Sequence, residues 1–136
     1  MKLFLKSIFV FNLLITSSLG SAQIPDTRHS QGIPYITGGI GKDEVAAILA
    51  ESKKRSLLIE LSQIENGRGV WIFGAKVKII NSNKQVIFDA QADGPYLLLN
   101  LDPGDYSIEA SYQGIEQKRF ISIKAATPQK IAILWK

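Results

Sequence analysis

Cysteine is missing from all 136 residues. Its absence excludes disulfides, thiolate nucleophiles, Cys-ligated metals and lipid attachment at an N-terminal cysteine, so packing alone must hold the fold. Histidine occurs once, as His29 in a polar stretch whose nearest acid is Asp26. One exposed imidazole beside one carboxylate is a poor metal site, and no nucleophile–His–acid triad can be assembled without a core histidine. Basic residues lie scattered among acids, and only Lys53-Lys54-Arg55 forms a run. That falls short of the dense stripe a nucleic-acid binder needs. The N-terminal apolar run, Ile8 to Ile15, is broken by Asn12 and is well short of the ~20 residues of a spanning helix.

What is present starts with that run. Lys2 and Lys6 precede it, Thr16 to Ala22 is small and polar, and Gly20 and Ala22 occupy the −3 and −1 positions of a cleavage site. This three-part layout predicts a secretory signal peptide over 1–22, and it is the only membrane contact expected, during export. Cleavage would remove two cations from a chain of net charge +4. Gln23 onward is long enough for one domain with its own core, placed in the periplasm or outside the cell.

Residues 23–41 read as a polar leader followed by the glycine-rich loop Gly38-Gly39-Ile40-Gly41. Residues 42–55 read as a helix. Val45, Ile48, Leu49 and Ser52 share one face, Asp43 and Glu44 fall in the first turn, and Lys53, Lys54 and Arg55 fall in the last. From Leu57 the period changes to two. Strands are expected at Leu57–Ile64, Ala75–Ile79, Val86–Ala90, Tyr96–Leu101, Tyr106–Tyr112, Glu116–Lys124 and Lys130–Trp135. Gln113-Gly114 is a two-residue hairpin turn, and Glu65 to Gly69 is a longer one. Continuous apolarity over Tyr96–Leu101 predicts a strand covered on both sides. Seven strands with regular turns predict a mainly β fold, a seven-stranded antiparallel β-sandwich preceded by one α-helix that packs on an edge or an outer face.

Three local motifs sharpen this picture: Gly74-Ala75-Lys76-Val77, Asp93-Gly94-Pro95-Tyr96 and Leu101-Asp102-Pro103-Gly104-Asp105-Tyr106, with Tyr112-Gln113-Gly114 as an aromatic-x-Gly exit. In this order they resemble the carboxypeptidase regulatory-like domain, a prealbumin-like sandwich, over 57–136. The whole chain, with Tyr35 to Gly41 ahead of a helix, is similar to small secreted bacterial proteins labelled by that domain. The resemblance implies export to the envelope and names no activity. Turn chemistry is a sufficient reason for these residues: Pro103 presets φ and Gly104 supplies the positive φ of a type II turn, with Gly94 doing the same beside Pro95.

Chemistry is sparse. No His-x-x-Glu or paired-histidine motif accompanies the resemblance, and the C-terminus Ile133-Leu134-Trp135-Lys136 lacks the Tyr-Arg-Gly-Ser ending of transthyretin-like hydrolases. Asp89, Asp93, Asp102 and Asp105 are close in sequence but fall at turns, where Asp belongs. The glycine loop has no Gly-Lys-Ser/Thr ending, and Asp43 and Glu44 would repel a phosphate there. An isopeptide set of Lys76 or Lys78 with Asn100 and Glu60 would need a buried lysine, yet both lysines lie on the polar phase of their strand. No catalytic residue, cofactor or metal is expected. Trp135 falls on the core phase of Ile131 and Ile133. Trp71 and Phe73, with Arg68 beside the glycine turn, form the candidate binding loop. The expected function is a non-catalytic envelope module that binds protein through a sheet edge, the helix or the Trp71 loop. The alternative is a glycan or small-ligand module using Trp71 with Tyr35 and Tyr96, and a hydrolase comes third.

Overall fold

The computed structural model describes Gln23–Lys136, so the expected signal peptide over 1–22 lies outside the described residues. The described elements are β1 (Arg28–Ser30), β2 (Ile33–Gly38), α1 (Lys42–Ser52), β3 (Leu57–Glu65), β4 (Arg68–Trp71), β5 (Lys76–Ile80), β6 (Val86–Gln91), β7 (Tyr96–Leu99), β8 (Gly104–Tyr112), β9 (Ile115–Ile123) and β10 (Gln129–Trp135). Three Xaa-Gly pairs make the two-residue hairpins. Gln31-Gly32, Asn66-Gly67 and Gln113-Gly114 have φ of 49° and 83°, 52° and 76°, and 51° and 78°. Positive φ at both turn residues is the type I′ geometry, whose twist matches that of the strands it joins.

Two sheets result. The larger runs β1-β2-β7-β3-β10, and the smaller runs β6-β5-β8-β9. Strand β7 pairs with Leu57–Glu60 and β4 with Ser62–Glu65, so the two follow one another along the same edge of β3. The inner faces enclose one core. Tyr35, Leu57, Ile59, Leu61, Leu97, Leu99, Ile133 and Trp135 from the larger sheet meet Val77, Ile79, Phe88, Ile108, Ala110 and Ile123 from the smaller. Alternation with period two places these on one face of each strand. Strand β7 is buried at all four positions. Leu97 and Leu99 enter that core, while Tyr96 and Leu98 join Ile36, Leu58 and Ile48 in a second cluster under α1. The helix therefore covers part of the outer face of the larger sheet.

Several expectations change. Segment 23–41 is not a leader: β2 lies between β1 and β7, with Tyr35, Ile36 and Thr37 all buried. The sheets are not wholly antiparallel, because β10 runs parallel to β3, from Gln129 opposite Leu57 to Trp135 opposite Gln63. The physical reason is the short connection out of β9, which delivers β10 beside the start of β3, where Gln129 N–H donates to Ser56 O at 3.0 Å. Strands β1, β2 and β4 add to the seven expected. The helix stops at Ser52, whose hydroxyl donates to Leu49 O at 2.6 Å, so Lys53, Lys54 and Arg55 lie beyond it. Arg55 turns back to Glu51 at 3.0 Å.

Both expected turns also differ. Gly104 is already the first residue of β8 with φ of 154°, far from the roughly +80° of a type II turn. Gly94 is not among the positive-φ glycines. Its small size matters instead, because a Cβ there would collide with the Gly38 carbonyl of β2.

Candidate functional site

Next to the apolar cluster under α1, and sharing Tyr96 with it, the outer face of the larger sheet carries a polar and aromatic cluster centred on Glu60. Register explains it. Glu60 stands directly opposite Tyr96 on β7, and Trp71 of β4 stands opposite Ser62, one diagonal step along β3. On the other side of β3, Lys130 stands opposite Leu58, again a diagonal step from Glu60. The side chains close on one carboxylate. Tyr96 OH donates to Glu60 Oε2 at 3.1 Å and Trp71 Nε1 to the same oxygen at 3.4 Å. Lys130 Nζ lies 3.2 Å from Oε1.

The Trp71 and Tyr96 rings pack at 5.9 Å between centroids with a 60° tilt. Burial, reinforced by the negative charge of Glu60, pushes the Tyr96 phenol up to about 12. Tyr96 therefore stays a neutral donor at ordinary pH and anchors the cluster. The glycine loop contributes from above: Gly39 has φ of 105°, and a Cβ there would stand 2.7 Å from Tyr96 Cδ2. Glu44 Oε1 accepts from Gly39 N–H at 2.8 Å and from Ile40 N–H at 3.1 Å. A carboxylate thus occupies backbone donors that a phosphate would need.

Trp71 is held but not hidden, with 45% of its surface exposed. Phe73, on the same phase of the chain, is 55% exposed, and Ile64 and Val70 on the β3–β4 ribbon are also exposed. Opposite Ile64 lies Gly69, which has open space where a side chain would be. Of the expected loop residues, Trp71 and Phe73 share a phase. Arg68, opposite Glu65 near the turn, lies on the other phase with Val70 and Ile72, so it does not join the aromatic face. Tyr35 is also excluded from it, being on the inner face with its ring 5.1 Å from Phe88. In sequence Glu60 enters only the isopeptide set and Lys130 no site at all, because only the strand register brings them to Trp71.

Two of the four carboxylates considered for acid–base work are otherwise engaged. Asp93 forms an ion pair with Arg28, and Asp105 Oδ1 accepts from the Ser122 hydroxyl at 2.5 Å. Among the described residues no group of three His, Asp or Glu side chains could hold a metal. Lys76 and Lys78 are exposed on the smaller sheet, away from Glu60 and Asn100 on the larger sheet side. Trp135 is core, with its Nε1 donating to Ile115 O at 2.9 Å. Among the described residues no helix is long and apolar enough to cross a membrane. No protein-family model matches the chain, and no curated protein matches it either.

Proposed function

We propose that the chain is an exported, non-catalytic protein-interaction module of the carboxypeptidase regulatory-like, prealbumin-like kind, which holds a partner against its Trp71 face. The observation that carries this reading is Trp71 itself, half-exposed yet oriented by Glu60 and Tyr96 and flanked on its own face by exposed Phe73 and Ile64. An aromatic anchor fixed before binding loses little rotamer freedom on association, which is how interface hot spots gain affinity. The amino-terminal charge, apolar run and small-residue site support export, to the periplasm or beyond.

Glycan binding is the second reading, supported by the carboxylate and ammonium groups beside an exposed indole. It is the weaker one, since both Glu60 oxygens already accept from Tyr96, Trp71 and Lys130, and the flanking apolar side chains offer a sugar no hydrogen bonds. Crosslinking capture from envelope extract with wild-type and Trp71→Ala baits separates them. A protein captured by the first bait and lost from the second supports the interaction module. Quenching of Trp71 fluorescence by a glycan, with no protein captured, supports the second reading and overturns the first.

A further inference from the structure

The two open sides of the two-sheet fold are treated differently. On one side β1, an edge of the larger sheet, lies against β6, an edge of the smaller. Ser30 spans the gap: its hydroxyl donates to Asp89 O at 2.8 Å and accepts from Asp89 N–H at 3.0 Å. The edge of β6 is thereby capped where the sheets meet. On the other side, β9 pairs with β8 alone and β10 with β3 alone. Trp135 Nε1 joins them at one end by its bond to Ile115 O. Toward Phe120–Lys124 and Gln129–Ile131 an open groove of about 530 Å³ separates them, with Ile121 and Ile131 among its lining residues. Both isoleucines are half-buried and pack on the core.

Backbone phase decides which groups this edge offers. Tyr112 and Ile115 flank a two-residue turn, so they form a hydrogen-bonded pair, and the pattern alternates from there. Gln117, Arg119, Ile121 and Ile123 then bond to β8. Glu116, Lys118, Phe120 and Ser122 turn their N–H and C=O groups outward, where Lys118 O accepts from Arg119 Nη1 at 2.9 Å and a strand would have to displace it. A nine-residue edge left in this state is a template for another strand. Charge says which strand. The groove's charged lining residues, Lys124 and Lys130, are both cations, Lys130 already paired with Glu60, and β9 adds Arg119 and Lys118, the latter 3.7 Å from Glu109, against Glu116. Phe120 is 77% exposed beside them, with Lys118 Nζ 5.7 Å from its ring centroid. Two copies of β9 side by side would bring like charge to like, which disfavours a second copy of the chain.

We propose that the β9 edge and its groove accept an extended, acidic segment of another polypeptide as an added strand. Its apolar side chains would alternate onto Ile121 and Ile131, and its carboxylates would lie beside Lys118 and Lys124. The proposal rests on the protein-interaction reading but uses a surface separate from Trp71, so each can fail alone.

The test uses the full chain, expressed with its own first 22 residues and purified as the cell delivers it. The probe is a fluorescent ten-residue peptide alternating valine with glutamate. Fluorescence anisotropy against a valine–lysine peptide and a scrambled valine–glutamate peptide should show binding about tenfold tighter for the alternating acidic one, as two or three exposed ion pairs allow. Phe120→Pro removes an outward N–H that β8 does not use, so it should leave the fold intact and abolish binding. Should Phe120→Pro lower the melting temperature, Lys118→Glu with Lys124→Glu serves instead and should reverse the preference between the charged peptides. Equal binding of the acidic and basic peptides, no binding of either, or binding that survives the Lys118/Lys124 double variant while Trp71→Ala removes it would overturn the proposal. The last outcome would leave the Trp71 reading standing.

Discussion

Asp93 donates its backbone N–H to the hydroxyl of buried Thr37 at 3.0 Å, and the same hydroxyl donates to Tyr96 O at 2.8 Å. One side chain of β2 thus satisfies both ends of the Asp93-Gly94-Pro95-Tyr96 motif. The motif's role in this chain is to receive β2 into the larger sheet. Thr37→Val keeps the shape and removes the hydroxyl, leaving a buried donor and acceptor unmatched. Urea unfolding should show a loss of about 1–3 kcal/mol, with Thr37→Ser close to wild type.

Gly94→Ala should destabilise the same junction by about 1–3 kcal/mol, the usual cost of overpacking, because the added methyl meets the Gly38 carbonyl. Gly69→Ala is the control. Its Cβ enters open space and its φ is not positive, so its midpoint should match or exceed wild type. Equal midpoints for the two variants would mean that β2 does not sit against the Asp93–Pro95 bend.

The strands from Leu57 onward, β4 excepted, were legible, most of them by alternation between clear turn signals, and the continuous apolarity of Tyr96–Leu101 matches the burial of β7 at all four of its positions. Strand β2 was not, since Ile33 to Gly38 contains Pro34 and buries Tyr35 and Thr37 inward and Ile36 outward under α1. Alternation vanishes when both faces are covered. The Gln31-Gly32 turn carried the same signal as Gln113-Gly114, but Arg28-His29-Ser30 is polar throughout and offered no strand pattern beside it. Trp71 and Phe73 stood out by residue type. Glu60 did not, because pairing register with β4, β7 and β10 is a long-range property that local spacing does not encode.

The two tryptophans should separate stability from binding. Trp135 is fully buried in the core, so Trp135→Ala should cost about 3–5 kcal/mol, while half-exposed Trp71→Ala should cost about 1 kcal/mol. Thermal melts of both variants check this. A large loss at Trp71 would make it a packing residue.

Alkaline pH gives an independent check on the Glu60 cluster. Tyr96 ionises at about 12 when folded against 10.0 when exposed, so its contribution is complete below pH 10 and is lost as pH rises from 10 to 12. Burial, then the nearby Asp102 charge, raises Tyr106 as well, which adds to the fall in the same direction. Tyr96→Phe should lose about 1 kcal/mol at pH 7 with the hydrogen bond to Glu60, yet show a shallower decline above pH 10. Parallel declines for wild type and Tyr96→Phe would contradict the raised phenol.

The most direct test of the account is a photocrosslinking residue placed at Phe73, beside Trp71, in the full chain in living cells. The account predicts one discrete crosslinked protein that disappears when Trp71→Ala is added, while the folded level of the chain is unchanged. No crosslinked protein, or one that persists without the indole, would contradict a partner held on the Trp71 face.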